Sequence, residues 1–223
     1  MITIVGCGGI GAWLASVMAR SCRKPETLML VDGDRVEAKN LDRQFFTKDH
    51  IEVPKVVALK QSISVPDLTI TPVPHFIDTD PHNPATRGIR GSKIIFCCPD
   101  NHAARAMSLH LGDKYVCPVI LSGNSTWDAD ATYYHPDWFG TKLDPRVKHP
   151  EINLSAHGRT DPCTGEAQLD KPQLAGANFL AASMAFMLWQ AWHSDIAPEC
   201  MEARPVSFYC NGTAMRREMY ESD

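Results

Sequence analysis

The chain has 223 residues, of which 44% are hydrophobic and 22% charged, a composition that can bury the core of one α/β domain. A formal net charge of −4 gives no electrostatic reason to expect nucleic acid as a partner. Eight cysteines without an export signal favour a reducing compartment, so we expect a cytoplasmic protein with free thiols.

The hydrophobic pattern predicts strands that alternate with helices. In chain order, the predicted elements are strand Ile2–Gly6, helix Ile10–Ser21, strand Thr27–Asp32, helix Lys55–Ile63, strand Thr69–Ile77, strand Lys93–Cys98, helix His102–Leu111 and strand Pro118–Ser122. Two later alternating segments, Ala129–Tyr134 and Val206–Asn211, predict antiparallel strands added at one end. This order predicts a Rossmann-like α/β fold: a doubly wound, mostly parallel sheet in one domain over residues 1–223.

Two segments of the second half depart from this alternation. Residues 136–172 hold several prolines and no helical period, a pattern typical of long excursions that form lids or docking loops. Leu174–Trp192 is nearly continuous apolar sequence, at the short limit for a membrane span. We interpret it as a helix buried on several faces by the sheet or by a second subunit. We therefore expect a homodimer and no membrane contact.

The first predicted strand runs into a glycine loop, Gly6-Cys7-Gly8-Gly9-Ile10-Gly11, and then into a helix. Glycine lets the backbone approach a phosphate, and a helix N-terminus supplies unpaired N–H groups and the positive end of a dipole. Asp32 follows 21 positions after Gly11, the spacing typical of a carboxylate that binds the ribose of NAD. The loop therefore indicates a nucleotide, and an NAD-binding oxidoreductase is one alternative.

A polar segment after the second predicted strand favours ATP over NAD. It carries Asp32, Asp34, Asn40, Arg43 and Gln44. A guanidinium and an ammonium meet the charge of a triphosphate, whereas a dehydrogenase has no use there for Arg43 or Lys55. Asp100 follows another predicted strand and is the candidate ligand for magnesium. We therefore expect ATP and Mg²⁺ at the carboxyl edge of the sheet.

Four motifs of this chain resemble the ubiquitin-activating enzymes and their bacterial relatives, ThiF and MoeB. The motifs are the glycine loop, the Asp32–Gln44 segment with its Asn-Leu-x-Arg-Gln core, Pro54-Lys55, and Cys98-Pro99-Asp100-Asn101. They occur in the family's order and at close to its spacing. The resemblance implies one adenylation domain with ATP and Mg²⁺ as its cofactors.

The resemblance also implies roles for individual residues. Asp32 would hold the ribose, and Asp100 would bind Mg²⁺. The candidate nucleotide-binding residues are Gly6, Gly8, Gly9, Gly11, Asp32, Asp34, Asn40, Arg43, Gln44, Lys55 and Asn101. Two of them have simpler alternatives, since Asp34 could start a loop and Asn101 could cap the following helix.

The reaction implied by the resemblance is adenylation of the C-terminal carboxylate of a small β-grasp protein, ubiquitin-like or sulfur-carrier, with release of pyrophosphate. A conjugating or sulfur-transfer protein would be a further partner. In bacterial relatives a helical segment before the first strand supplies an arginine to the ATP of the partner subunit. We expect another basic residue or a partner to take that role here. If neither takes that role, the chain would be a non-catalytic ThiF-like scaffold, which is another alternative.

Cys163 is the candidate for a covalent step, beside the catalytic candidates Arg43, Lys55 and Asp100. It lies late in the excursion, where relatives that pass the activated protein to a cysteine carry their nucleophile. An ordinary loop thiol is the alternative, because neighbouring carboxylates would oppose a thiolate. Cysteines in or beside predicted core strands are expected to be small buried hydrophobes: Cys7, Cys97, Cys98 and Cys117.

Overall fold

The computed structural model describes residues 1–21, 26–63, 65–153, 174–193, 204–211 and 214–220. Its strands are β1 (Ile2–Val5), β2 (Glu26–Val31), β3 (Leu68–Val73), β4 (Ile94–Cys97), β5 (Val119–Asn124), β6 (Ala129–Tyr134), β7 (Pro205–Cys210) and β8 (Met215–Met219). Its α-helices are α1 (Gly9–Ser21), α2 (Lys55–Ser62), α3 (Pro84–Ile89), α4 (His102–Tyr115), α5 (Pro145–Lys148) and α6 (Ala175–His193).

The strands form one sheet in the order β3-β2-β1-β4-β5-β6-β7-β8. The pairs from β3 to β5 are parallel, and β6, β7 and β8 add antiparallel to the end. The chain moves outward from β1 to β2 and β3, then returns to place β4 on the other side of β1. Ligands of doubly wound sheets bind at such a switch point, outside the carboxyl ends of the strands. The Rossmann-like, mostly parallel sheet expected from the sequence is confirmed.

Helices cover both faces of the sheet. Every residue of β1 and β4 is therefore buried, and all of them except Thr3 are apolar. Ile4 of β1 packs in a core with Leu14 of α1 and Leu188 of α6. Val5, the next residue, faces the other core, which contains Leu109 of α4. Successive strand residues thus serve opposite layers, as the twofold period of a strand requires.

α3 and β8 were not predicted from the sequence. α3 forms in a proline-rich segment, where the side chain of Asn83 accepts a hydrogen bond from the Ala85 N–H at 2.8 Å. Its six residues are too few to show a helical period. β8 lies at the edge of the sheet and is almost entirely exposed, so it lacks the apolar alternation that marks other strands.

The described part of segment 136–172 is held against α4 by a partly buried ionic network. Arg146 donates to Asp113 at 2.6 Å, to Asp144 at 2.9 Å and to the Tyr134 hydroxyl at 2.6 Å. Burial opposes ionisation of Asp144, but hydrogen bonds from Arg146 and Gly140 lower its pKa. The absence of helix expected here is wrong for Pro145–Lys148, a helix of one turn capped by Asp144. Residues 154–172 lie outside the described residues, and the lid or docking loop stays a prediction.

The apolar segment expected to form a buried helix is α6. Its inner side is buried at Ala181, Ala185 and Leu188, which pack against α1 and the sheet. Phe179 and Met187 on the same helix are half exposed. Among the described residues, no helix has the length and apolar character needed to cross a membrane.

Candidate nucleotide site

The glycine loop makes a tight turn between β1 and α1 that only glycine fits. Gly6 has a φ of +81°, and a Cβ there would lie 2.8 Å from Cγ of Pro99. A Cβ on Gly11 would overlap the carbonyl oxygen of Gly6. The turn brings the N-terminus of α1 to the carboxyl edge of the sheet, where its first N–H groups have no partner within the helix. This is the arrangement that binds phosphate in nucleotide sites.

Asp32 connects the end of β2 to this loop. Its two carboxylate oxygens accept hydrogen bonds from the Cys7 N–H at 2.6 Å and the Asp34 N–H at 2.8 Å. The residue is 7% exposed, and burial raises its pKa, opposed by the positive charge of Lys55. Each carboxylate oxygen has a second lone pair, so Asp32 can still accept a ribose hydroxyl.

Lys55 is brought to the same edge by the folding back of the segment between β2 and α2. Arg35 and Pro54 form an isolated antiparallel bridge, and α2 begins at Lys55 directly after it. The Lys55 ammonium lies 2.8 Å from the carboxylate of Asp34. Burial favours the neutral amine, but Asp32 and Asp34 outweigh it and raise the pKa of Lys55. Lys55 is therefore a fixed, charged ammonium at the rim of the site.

The turn that carries Arg43 and Gln44 is organised by Asn40. The Asn40 side chain accepts from the Glu37 N–H at 2.9 Å, and its carbonyl accepts from the Gln44 N–H at 2.9 Å. Arg43 donates through Nη1 to the Lys39 carbonyl at 2.6 Å and to Asp42 at 2.9 Å. The guanidinium has further N–H donors for a phosphate. These hydrogen bonds of Asn40 are to backbone N–H groups, so Asn40 holds the backbone of this turn in place.

Gln44 packs directly on the glycine loop. Its Nε2 lies 3.6 Å from the position that a Cβ on Gly8 would occupy. Its Oε1 is buried and has no hydrogen-bond partner among the described residues. A buried acceptor of this kind beside the glycine loop fits a site that is completed by a ligand.

Asp100 and Asn101 follow β4 at the same edge of the sheet. Asp100 is exposed, and Asn101 caps α4 by accepting from the Ala104 N–H at 2.8 Å. Capping, the simpler alternative for Asn101, is thus confirmed. The described residues contain no group of three side chains suited to hold a metal alone. Mg²⁺ often takes only one or two carboxylates and otherwise nucleotide phosphates and water, so Asp100 fits that kind of ligand.

The four core cysteines are buried, as expected: Cys7, Cys97, Cys98 and Cys117. Burial raises the pKa of each, that of Cys97 to about 11, so none is an activated thiolate. Cys163 lies outside the described residues.

Sequence reasoning missed Asn178, in the first turn of α6. Its amide lies against Gly9, and its Nδ2 donates to the Arg43 carbonyl at 3.3 Å. The only signal in the sequence was a polar residue that interrupts an apolar run.

The sheet, the glycine loop and the buried Asp32 and Lys55 have the arrangement typical of Rossmann-like nucleotide-binding domains. The sequence model of the ThiF family matches residues 1–151. The chain therefore belongs to the ThiF family.

Individual relatives match part of the chain. The adenylyltransferase and sulfurtransferase MOCS3 of Caenorhabditis briggsae is 27% identical over 135 residues, 60% of this chain and 33% of the relative. Ubiquitin-like modifier-activating enzyme 5 of Drosophila sechellia is 32% identical over 116 residues, 47% of this chain and 28% of the relative. The chain thus spans about a third or less of the length of these relatives.

Among solved structures, E. coli MccB with ATP is similar in fold. The TM-score is 0.69 at 19% identity, over 98% of this chain and 63% of MccB.

Proposed function

We propose that this chain is an ATP-dependent adenylyltransferase that activates the C-terminal carboxylate of a small ubiquitin-like or sulfur-carrier protein. The observation that carries the proposal is the meeting of the glycine loop, Asp32 and Lys55 at one edge of the sheet in a ThiF-family chain. Relatives named as an adenylyltransferase and as a ubiquitin-like modifier-activating enzyme support it. The structure of MccB with ATP supports the choice of nucleotide.

The substrate roles follow from the charges of the site. The N–H groups at the start of α1 would bind ATP phosphates, and Asp32 would accept a ribose hydroxyl. A carboxylate oxygen of the substrate protein would form a bond to the α-phosphorus. The bond from that phosphorus to the bridging oxygen of the β-phosphate would break, and pyrophosphate would leave with the electron pair. Arg43 and Lys55 would stabilise the negative charge that develops on the phosphates.

Lys55 is suited to this role because it is charged and fixed before the reaction. The ion pair with Asp34 holds the ammonium in place, and its burial strengthens its interaction with phosphate. Asp100 would hold Mg²⁺, which supplies further neutralisation of phosphate charge.

The partners of the reaction belong to the same proposal. The chain would act as a homodimer and pass the activated protein to a conjugating or sulfur-transfer protein. Cys163 would be the acceptor if a thioester forms. If the reaction stops at the adenylate, Cys163 is an ordinary thiol.

Titration calorimetry with ATP and Mg²⁺, and separately with NAD, tests the nucleotide. We expect ATP to bind and both Asp32→Ala and Asp100→Ala to weaken it. Asp137→Ala is the matched control, because Asp137 is 80% exposed and follows β6 at the opposite edge of the sheet. Binding of NAD alone would indicate the oxidoreductase, and binding of neither nucleotide would indicate the scaffold. Unchanged ATP affinity in both aspartate variants would show that the site is wrongly placed.

A further inference from the structure

Asn178 is the one polar residue among the buried residues of α6, and it is 0% exposed. A Cβ on Gly9 would lie 2.5 Å from Cγ of Asn178, so the amide rests on the glycine where α1 begins. Any larger residue than glycine at position 9 would displace this amide. The contact joins the phosphate loop to a helix far along the chain.

The same amide reaches the turn that carries Arg43. Its Nδ2 donates to the Arg43 carbonyl at 3.3 Å, across 135 positions of sequence. Asn178 therefore touches the two backbone segments whose separation decides whether Arg43 and the glycine loop can share one triphosphate. The Arg43 guanidinium projects from a backbone that this hydrogen bond holds.

The other end of the amide has no such contact. Oδ1 of Asn178 is buried without a hydrogen-bond partner among the described residues. The same holds for Oε1 of Gln44, whose side chain packs on the neighbouring Gly8. Leaving a buried acceptor unpaired lowers the stability of the fold, and an apolar side chain would avoid that loss. Folding alone therefore does not explain an asparagine at this position.

Aromatic contacts already hold the same three segments together. Trp13 of α1 contacts Phe45, which follows Gln44, with ring centroids 5.1 Å apart. It also contacts Phe179 of α6, with centroids 5.5 Å apart. These rings supply the apolar part of the packing, so the docking of α6 does not depend on the Asn178 amide alone.

We propose that Asn178 is a positioning residue of the nucleotide site: it sets the distance between the glycine loop and the Arg43 backbone, so that both meet the same phosphates. This inference rests on the proposed function, and it adds a residue of α6 to a site otherwise built from the first half of the chain.

Ser122 provides the matched control. Its buried hydroxyl lies 3.1 Å from the Ala181 carbonyl, about one turn beyond Asn178, and 3.2 Å from the Asp130 carbonyl of β6, so it anchors α6 to the sheet. Ser122→Ala removes one side-chain to backbone hydrogen bond of α6 without touching the glycine loop. A merely structural Asn178 would behave like Ser122.

The experiment compares wild type, Asn178→Ala and Ser122→Ala by thermal unfolding and by calorimetry with ATP and Mg²⁺. We expect each variant to change Tm by no more than a few degrees. Only Asn178→Ala should bind ATP at least about tenfold more weakly than wild type. Wild-type affinity in Asn178→Ala, or an equal loss in Ser122→Ala, would overturn the inference while the proposed function stands. A wild type that binds no ATP would overturn both.

A double-variant comparison tests the contact itself. Gly9→Ala places a methyl group against the Asn178 amide and should weaken ATP binding. Asn178→Ala removes that overlap, so the combined variant should bind ATP more tightly than the product of the two single losses predicts. Fully additive losses would show that the two residues do not act through their contact, and would overturn the proposal.

Discussion

Lys55→Met removes the buried ammonium at the carboxyl edge of the sheet and keeps an unbranched apolar stem of similar length. The ammonium lies 2.8 Å from Asp34, and its positive charge also opposes the rise in the pKa of Asp32. The variant therefore tests the stability of the site and its affinity for phosphate.

The expected size of the stability loss follows from the exposure of the two partners. Losing one partner of a buried pair costs about 3–5 kcal/mol, whereas exposed pairs contribute about 0–1 kcal/mol. The Lys55 side chain is 9% exposed and that of Asp34 is 51% exposed, so this pair lies between those limits. We expect the free energy of unfolding at pH 7 to fall by about 1–3 kcal/mol.

Lys55→Met should also lower the affinity for ATP, independently of its effect on the free energy of unfolding. A hydrogen bond to a charged group contributes about 1.5–3 kcal/mol, which corresponds to about a ten- to hundredfold loss of ATP affinity. Lys60→Met is the control, because Lys60 is exposed on the same helix. It should leave both the stability and the ATP affinity unchanged.

The stability loss should also depend on pH. Burial raises the pKa of Asp32 above its value in the unfolded chain, and Lys55→Met would raise it further. A carboxyl group with a higher pKa in the folded state destabilises the fold when it is ionised, and this cost disappears as the pH falls and the group binds a proton. The difference between Lys55→Met and wild type should therefore shrink as the pH falls from 7 toward the raised pKa of Asp32.

Urea unfolding at a series of pH values, with calorimetry at pH 7, makes both measurements. A stability loss that stays constant with pH would refute the electrostatic account of Asp32 and Lys55. Wild-type ATP affinity in Lys55→Met would refute a phosphate contact by this ammonium.

Four further predictions concern catalysis, the thiol, assembly and stability. Arg43→Ala should slow pyrophosphate exchange, measured with a small protein that ends in Gly-Gly, on the order of a hundredfold; a normal rate would remove Arg43 from the reaction. Cys163→Ala should retain that exchange but lose a thiol-sensitive adduct on non-reducing gels, and persistence of the adduct would assign another cysteine. Sedimentation should show twice the chain mass of 24.7 kDa, whereas a monomer at micromolar concentration would contradict a dimer through α6. Arg146→Ala leaves Asp144, whose side chain is 2% exposed, without its cation, and urea unfolding should show a loss of about 3–5 kcal/mol. A loss of less than about 1 kcal/mol would mean that the network is only a surface pair.

The parallel sheet could be predicted because its signals are local. A buried strand such as β4 is a short apolar run, and the order of such runs and helices restricts the connections to right-handed crossovers. The glycine loop and Asp32 could also be predicted from the sequence, since each follows directly after a strand. Parallel strands end at one edge, which brings such residues together without further information.

Other elements gave no local signal of their structure. β8 forms because β7 offers an unpaired edge, and its exposed residues carry no apolar alternation. α3 depends on a cap from Asn83 and has too few residues to show a period. The short length of α3 and the exposure of β8 explain why the sequence did not predict these two elements.

The contacts within the site were decided by the tertiary structure. The family resemblance predicted Lys55 near phosphate, but its ion pair with Asp34 depends on the backbone bridge at Pro54. Asn178 is the clearest case, because its hydrogen bond to Arg43 joins residues 135 positions apart. Such a contact exists only after α1 and α6 have packed on the sheet, and the periodicity of a single helix carries no information about which backbone it will meet.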